Sequence, residues 1–501
     1  MTEELLYRST RGDIADVTSS IAILKGLAPD GGLYVPINIP KWDVNLEEYK
    51  DKSYQEIALE ILKRYFVDFT EEELKDCIDK AYDDKFDTED IVELKKEGDA
   101  YYLELFHGDT LAFKDIALSI LPHLLTVAAK KNEVKNNIVV LTATSGDTGK
   151  AAMSGFADVE GTKIITFFPK DKVSKMQELQ MRTSVGENVA AVAVHANFDD
   201  CQSAVKYILE DDKFNKEISY SGYQFSSANS INIGRLVPQI VYYYYSYILL
   251  LKRGQIANGD KINICVPTGN FGNILAGYYA KEMGLPINKF ICASNDNNVL
   301  FEFFATGIYN RNRKFRTTIS PSMDILISSN LERLLYHISG EDSRTILDLM
   351  GKLLYKGKYR ISDKMKERLS DFVGGYATEP HIKKQIKKMF FEQGYVIDPH
   401  TAVASKVYDD YVFESKDNTP TVIASTASPF KFAKTVLESI EGSLDEDIRN
   451  KSEEELIEIL AKVSKTPIPD SVVQSLEGEI LHKRECALVG MKAEVLDVLG
   501  I

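Results

Sequence analysis

The stretch "KINICVPTGNFGNILAGYYAKEMGLP" (residues 261–286) contains the three elements that decide the fold class. The short apolar run "INICVP" predicts a buried strand, "TGNFGN" predicts a tight loop, and the segment after it predicts a helix. Gly284 and Pro286 stand where such a helix would end. A continuous apolar strand followed directly by a helix is typical of a parallel sheet in an α/β protein.

The same order of strand, loop and helix recurs along the chain. It is found in "NNIVVLTATSGDTGKAA" (residues 136–152) and again in "PTVIASTASPFKFAKTVLES" (residues 420–439). Residues 1–97 have a mixed pattern with two amphipathic helices, and the charged stretch from about 296 to 395 predicts a helical insertion. The tail after about residue 440 is also predicted to be helical. We therefore expect an α/β protein with parallel sheets and helical additions.

The bulk composition excludes several classes of partner. The chain has 501 residues, 44% of them hydrophobic and 27% charged, and a formal net charge of −15. This negative balance argues against a nucleic-acid or anionic-membrane partner. The longest apolar run, "IVYYYYSYILLL" from residue 240, is shorter than the ~18 residues of a membrane helix. We expect a buried helix there, with the tyrosine hydroxyls bound to local partners.

The terminus and the cysteines predict a cytoplasmic location. The opening "MTEELLYRSTRGD" is too polar for a signal peptide, and the five cysteines are widely spaced without a CxxC motif. Such cysteines are typical of reduced thiols in a cytosolic protein. The seven histidines show no HExxH or paired spacing, so no metal is expected.

Two glycine-rich loops are candidates for anion binding: "TSGDTG" (residues 144–149) and "PTGNFGN" (residues 267–273). Each follows a predicted strand and opens a helix, where free main-chain N–H groups and the helix dipole favour a negative charge. The alternative is that the glycines only tighten the turns. Neither loop matches a Walker A or GxGxxG motif, and no GxSxG elbow is present, which disfavours an ATPase, a dinucleotide dehydrogenase or a serine hydrolase.

Lys114 stands near the start of a helix that is apolar on almost every side, in "LFHGDTLAFKDIALSILPHLL" (residues 105–125). Burial and the positive end of the helix dipole both lower the pKa of a lysine there. A neutral amine is what a lysine needs to form a Schiff base. The alternative is a lysine that extends to solvent or pairs with Asp109 or Asp115. Together with two anion-binding loops, the lysine points to pyridoxal phosphate.

Six segments of the chain together resemble threonine synthase, in its longer form with an N-terminal extension. They are "GLAPDGGLYVP", "LFHGDTLAFKD", "TATSGDTGKAA", "SSANSINIGRLVPQIVYYY", "VPTGNFGNILAGYYAKEMGLP" and "ASTASPFKF". The resemblance implies the type II fold of pyridoxal-phosphate enzymes, similar to the tryptophan synthase β subunit, with two parallel-sheet α/β domains. We expect an N-terminal mixed α/β extension (1–97), a smaller domain (98–245) and a larger one (246–501) that are interleaved.

The resemblance also assigns residues to roles. Lys114 would carry the cofactor, Thr426 would meet its pyridine nitrogen and Asp147 would lie near its 3′-hydroxyl. Its phosphate would be bound by Gly269, Asn270, Phe271, Gly272 and Asn273. Substrate binding would involve Ser145, Gly146, Thr148, Ser174, Lys175, Gln177, Asn232 and Arg235.

The implied reaction converts O-phospho-L-homoserine and water to L-threonine and phosphate, the last step of threonine biosynthesis, in a monomer or homodimer. Other type II enzymes, such as a serine/threonine dehydratase or a cysteine synthase, remain alternatives, as does a non-catalytic relative that binds a phosphate ligand. Two positions depart from the family's pattern: Asp109 replaces a usual proline and Ser428 a usual histidine. We expect the charge of Asp109 to raise the pKa of Lys114.

Overall fold

Two parallel sheets with helices packed against them form the frame of the molecule. The computed structural model describes residues 5–12, 14–144, 146–442, 448 and 450–501. The strands in these ranges are β1 (Tyr7–Ser9), β2 (Tyr34–Pro36), β3 (Glu93–Glu97), β4 (Ala100–Glu104), β5 (Asn137–Ala143), β6 (Thr162–Pro169), β7 (Val189–Val194), β8 (Tyr223–Ser226), β9 (Ile262–Pro267), β10 (Ile287–Ser294), β11 (Ile308–Asn310), β12 (Lys358–Arg360), β13 (Phe372–Tyr376), β14 (Thr421–Ser425) and β15 (Arg484–Cys486).

The larger sheet has six strands in the order β13-β10-β9-β14-β4-β3, and the smaller has five in the order β15-β7-β6-β5-β8. All pairs in both sheets are parallel except β3 with β4 at one edge. β1 with β2 and β11 with β12 form short antiparallel pairs. β7, β9 and β14 are buried along their whole length, because helices cover both faces. The α/β fold expected from the sequence is confirmed.

Helices connect most of the strands and enclose the two sheets. The helices within the described ranges are α1 (Ser19–Lys25), α2 (Tyr54–Tyr65), α3 (Glu71–Ala81), α4 (Lys114–Lys131), α5 (Asp147–Phe156), α6 (Lys175–Arg182), α7 (Phe198–Glu210), α8 (Asp212–Tyr220), α9 (Ile233–Leu236), α10 (Pro238–Lys252), α11 (Gly272–Met283), α12 (Val299–Thr306), α13 (Leu331–Ser339), α14 (Ser343–Lys356), α15 (Asp363–Glu367), α16 (Glu379–Gln393), α17 (Pro399–Ser415), α18 (Ala433–Glu441), α19 (Glu453–Ser464), α20 (Asp470–Glu477) and α21 (Met491–Leu499). Short 3-10 turns lie at Leu46–Tyr49, Pro321–Met323, Pro429–Phe432 and Leu488–Gly490.

Each sheet takes strands from both sides of residue 245. β4 lies early in the chain but belongs to the larger sheet, and β15 lies near its end but belongs to the smaller one. Each sheet is therefore assembled from distant parts of the chain. The predicted division into domains at residues 97 and 245 stays a proposal.

The segment from about 296 to 395 is not only helical, because β11, β12 and β13 lie within it. β13 extends the larger sheet beside β10. Its two glycines are required by close packing: a Cβ on Gly375 would lie 2.3 Å from a methyl of Val407, and one on Gly374 would lie 3.1 Å from the Cα of Phe301. These glycines also interrupt the apolar pattern that would have predicted a strand.

α10 contains the four consecutive tyrosines and is buried among other helices, mainly α2, α11, α4 and α9. Their hydroxyls bind local groups as expected: Tyr242 donates to Gln239, Tyr243 to Asn273, Tyr244 to the carbonyl of Ala280 and Tyr245 to Asp90. Within the part of the chain that the structure describes, no helix is both long and apolar enough to cross a membrane.

We predict that Gly155→Ala destabilises the contact between α4 and α5. A Cβ on Gly155 would lie 2.1 Å from the carbonyl oxygen of Leu118, so the two helices would have to separate. The free energy of unfolding should fall by roughly 1–3 kcal/mol, measured by urea denaturation with circular dichroism. Gly351→Ala is the matched control, because nothing lies within 4 Å of a Cβ added there. It should stabilise α14 by about 0.5–1 kcal/mol, and equal effects of the two changes would contradict the prediction.

Candidate active site

Lys114 is the first residue of α4, and its backbone is fixed to the end of a strand of the larger sheet. The N–H of Phe113 donates to the carbonyl of Thr426 at 2.9 Å, and the N–H of Ser428 donates to the carbonyl of Leu111 at 3.0 Å. These bonds place the lysine beside the residues that follow β14. Its side chain is only 13% exposed.

The carboxylate of Asp147, at the start of α5, is the centre of the site. The Nζ of Lys114 lies 3.2 Å from one oxygen, and the hydroxyl of Ser322 donates to that oxygen at 2.8 Å. The Nζ of Lys431 lies 3.1 Å from the other oxygen, to which the side-chain amide of Gln177 donates at 2.9 Å. Asp147 is 3% exposed. One buried carboxylate therefore joins four segments that are distant in sequence.

The charges in this cluster shift each other's pKa values. Burial alone would raise the pKa of Asp147, but the ammonium groups of Lys114 and Lys431 hold it well below its usual range. Burial lowers the pKa of Lys114, and the attraction of Asp147 only partly opposes this effect. Lys114 therefore becomes neutral more readily than an exposed lysine, as the sequence predicted.

The carboxylate of Asp109 is bound elsewhere, contrary to the expectation that its charge raises the pKa of Lys114. The carboxylate of Asp109 accepts a hydrogen bond from Ser154 at 2.6 Å, and its charge acts on Lys150 and Asp115. Asp109 precedes α4 in a turn directed towards α5, so closeness in sequence did not bring its carboxylate to the lysine amine. The carboxylate that raises the pKa of Lys114 is Asp147.

Ser322 is held in place by a buried histidine. Its N–H donates to the Nε2 of His400 at 3.2 Å, and the Nδ1 of His400 lies 2.7 Å from the carboxylate of Asp398. Because Nε2 accepts a hydrogen bond, Nδ1 carries the proton and donates it to Asp398. Asp398 also caps α17. This chain of bonds fixes the turn Pro321–Met323 above Asp147.

The glycine-rich loop after β9 packs against the same turn. A Cβ on Gly269 would lie 2.7 Å from the carbonyl oxygen of Ser322, so no larger residue fits there without displacing the turn. Phe271 has φ of 67°, a left-handed conformation that starts α11. The loop is fixed further by Asn330, whose N–H donates to the carbonyl of Asn270 at 3.0 Å.

The donors around this loop fit a phosphate group. The first turn of α11 has main-chain N–H groups with no carbonyl partner inside the helix. The Nδ2 of Asn273 is buried without a hydrogen-bond partner, while its oxygen accepts from Tyr243. Ser322 contacts both the loop and the surroundings of Lys114. A ligand with a phosphate at one end and a carbonyl carbon for the Lys114 amine at the other matches this arrangement.

Three of the residues that the resemblance assigned to substrate binding lie at or next to Asp147. Gln177 is brought to Asp147, and Gly146 lies against it, since a Cβ there would lie 2.2 Å from the Gln177 amide. Thr148 is half-buried in the first turn of α5, next to Asp147. Ser145 lies outside the described residues.

The other four expected substrate residues lie at the starts of α6 and α9. Ser174 caps α6, and both it and Lys175 are exposed. Asn232 caps α9, and its amide donates to two main-chain carbonyls. Arg235 is 3% exposed and its Nε has no hydrogen-bond partner, while burial lowers its pKa to about 10.

Sequence reasoning missed Lys431, Ser322 and His400. Lys431 lies in the quoted segment "ASTASPFKF", and an apolar stretch around a lysine is the signal that had identified Lys114. Asp398 before a proline in "DPHTA" marks the start of a helix, but not the position of His400 in the fold. No local signal identifies Ser322.

Three family models cover most of the chain. One described as "Threonine synthase N terminus" matches residues 6–82, one described as "Pyridoxal-phosphate dependent enzyme" matches residues 94–426, and one described as "Threonine synthase, C-terminal" matches residues 401–477. The chain belongs to the threonine synthase family. The cofactor of this family is pyridoxal phosphate, which agrees with the donors at Lys114 and Asn273.

Individual relatives agree with this assignment. The threonine synthase of Schizosaccharomyces pombe is 38% identical over 468 residues, which cover 87% of this chain and 89% of the relative. The human protein called threonine synthase-like 1 is 40% identical over 437 residues, covering 84% of this chain but 58% of the relative. The chain thus spans little more than half the length of that relative. A structure of threonine synthase from Brucella melitensis with bound pyridoxal phosphate has a TM-score of 0.87 and 33% identity, and the match covers 99% of this chain and 100% of that one.

We predict that Asp147→Asn shifts the attachment of pyridoxal phosphate to Lys114 towards lower pH. Attachment needs the neutral amine, and removing the carboxylate takes away the charge that raises the pKa of Lys114. The midpoint should fall by about one pH unit or more. It is measured by mixing the full-length protein, freed of cofactor, with pyridoxal phosphate across a pH series, reducing with borohydride and quantifying the modified Lys114 peptide.

Asp109→Asn is the matched control for this experiment. Its carboxylate contacts Ser154, so its removal should leave the midpoint unchanged. A midpoint that stays constant or rises in Asp147→Asn would contradict the prediction.

Proposed function

We propose that this chain is a threonine synthase that converts O-phospho-L-homoserine and water to L-threonine and phosphate. The observation that supports this most directly is the buried amine of Lys114, paired with Asp147 beside the glycine-rich loop, in a chain of the threonine synthase family. Relatives that are named threonine synthase match almost the full length of the chain.

Three parts of the chain would hold the cofactor. Lys114 would bind its carbonyl carbon, and the loop from Gly269 to Asn273 would donate N–H groups to its phosphate. Thr426, which is 6% exposed, would meet the ring nitrogen with its hydroxyl. When bound, pyridoxal phosphate supplies an electron sink for negative charge at the substrate Cα.

Lys114 would also move protons once its amine is released by the substrate. The amine would take a proton from Cα and then one from Cβ as phosphate leaves from Cγ; a proton would next be delivered to Cγ to form the methyl group, water would add at Cβ, and Cα would regain its proton. Burial favours this role because it lowers the pKa of the lysine towards the pH of the reaction. Asp147 would keep the amine oriented through the contact at 3.2 Å.

Arg235 is the best supported of the proposed residues for the substrate phosphate. It is buried, keeps one N–H group without a partner and acts electrostatically on Lys114. Asn232 is less suited, because its amide already donates to the carbonyls of Ile23 and Ser227. Gln177 and Thr148 lie at Asp147 and would face the reacting part of the substrate.

We predict that the purified chain, loaded with pyridoxal phosphate, releases inorganic phosphate and L-threonine from O-phospho-L-homoserine. Lys114→Ala should lower this rate by at least about 10³-fold, because it removes both the cofactor attachment and the proton carrier. Phosphate is followed with a colorimetric assay and threonine by chromatography.

Lys130→Ala is the matched control, since Lys130 is exposed near the other end of α4 and should not affect the rate. L-serine and L-threonine are tested as substrates in parallel. Release of pyruvate or ketobutyrate without phosphate release would favour a dehydratase. A chain that binds the cofactor but turns over none of these substrates would contradict the proposal and favour a binding role.

A further inference from the structure

Lys431 is a second buried lysine in the active site. Its side chain is 0% exposed, and its Nζ lies 3.1 Å from Asp147, 2.5 Å from the carbonyl oxygen of Thr110 and 3.5 Å from the side-chain oxygen of Gln180. It is carried by the 3-10 turn Pro429–Phe432, which directly follows the segment containing Thr426. A buried ammonium group is costly unless several acceptors surround it, and Lys431 has three.

Lys114 and Lys431 share one carboxylate but are not surrounded equally. Lys431 donates to the Asp147 carboxylate, to a carbonyl and to an amide oxygen. Lys114 has the other carboxylate oxygen and, at 3.5 Å, the hydroxyl of Ser322. A single carboxylate balances one positive charge, and Lys114, which has fewer acceptors and whose pKa burial lowers, is the lysine that can lose its proton.

We propose that Lys431 is a positioning residue that occupies Asp147 as its permanent counter-ion, which leaves Lys114 free to give up its proton and bind the cofactor. The inference rests on the role of Lys114 in the proposed function. Without Lys431, Asp147 would form an exclusive ion pair with Lys114 and hold that amine in its charged form. Lys431 thus acts on the chemistry without contact to the reacting atoms, by occupying Asp147 and also by its own charge, which lowers the pKa of Lys114.

The other charged groups near this cluster do not duplicate Lys431. Arg235 acts on Lys114, but its guanidinium donates to the carbonyl of Ala228 at 2.8 Å. The Nδ1 of His400 is bound to Asp398 at 2.7 Å, so its ring contacts Asp147 only through Ser322. Asp115 accepts from Thr110, and Lys150 donates to Ser184. Among the described residues, Lys431 is therefore the cation besides Lys114 that contacts Asp147 directly.

The test is the pH dependence of cofactor attachment in Lys431→Gln, measured by borohydride trapping of pyridoxal phosphate on Lys114 in the full chain. Glutamine keeps hydrogen-bond donors for Asp147 and Thr110 but removes the charge. We expect the midpoint to rise by about one pH unit or more, which is about a tenfold slower attachment at a fixed pH below it. Lys431→Arg should retain the wild-type midpoint. Lys434→Gln, an exposed lysine in the next helix, should change nothing.

Further outcomes decide against the inference. An unchanged midpoint in folded Lys431→Gln overturns it, and so does a shift of similar size in Lys431→Arg. If Lys431→Gln does not fold, Asp147→Asn/Lys431→Gln removes the buried pair as a unit and is compared with Asp147→Asn. The inference expects the double variant to have the higher midpoint by less than one pH unit, because only the direct effect of the Lys431 charge on Lys114 is left; a rise of one unit or more would show that direct repulsion carries the whole effect and overturn it. Trapping needs no substrate, so this test can still be carried out if the chain fails to turn over O-phospho-L-homoserine. If no cofactor is trapped on Lys114 in the unmodified chain, the cofactor assignment of the proposed function is what fails.

Discussion

The rest of the active site depends on the ion pairs of one buried carboxylate. Asp147 is contacted by Lys114 from α4, Lys431 from the turn after β14, Gln177 from α6 and Ser322 from the turn before α13. Removing an ionised carboxylate from water is expensive, so its stability requires that all these donors are in place together. Both sheets must be assembled before that is possible, because α5 and α6 connect strands of the smaller sheet while β14 belongs to the larger one.

The position of the cluster follows from the topology. In parallel sheets, loops at the carboxyl ends of the strands lie on the same side, and ligands bind there. The loop after β5 supplies Asp147, the loop after β9 supplies the glycines, and the segment after β14 supplies Thr426 and Lys431. The isolated bridge between Ala112 and Ala427 then places Lys114 beside that last segment. One stretch of α4 thus meets the ends of strands from both sheets.

The sequence predicted the parts of this arrangement that depend on residues close together in the chain. Apolar strands, glycine loops and a lysine in an apolar helix are all patterns within about 20 residues, and they identified β5, β9 and Lys114. Lys431, Ser322 and His400 all lie at least 208 residues from Lys114 and at least 175 residues from Asp147 in the sequence. Only folding brings them together. The expectation about Asp109 failed for the same reason. Asp109 is five residues from Lys114 in the sequence, and this was taken to mean that the two side chains are close in space. β13 was not predicted from the sequence, because packing against Val407 requires a glycine at a position where a typical strand pattern has an apolar residue.

The C-terminal residues beyond the last matched family model also support the active site. β15 extends the smaller sheet beside β7, and Arg182 at the end of α6 donates to the carbonyl of His482 and to Glu485. The N–H groups of Leu481 and His482 donate in turn to the carbonyl of Arg182. α6 is only eight residues long, and its other end carries Gln177, which donates to Asp147. A short helix held at its last residue has little freedom at its first turn, so the tail fixes the direction from which Gln177 reaches the carboxylate.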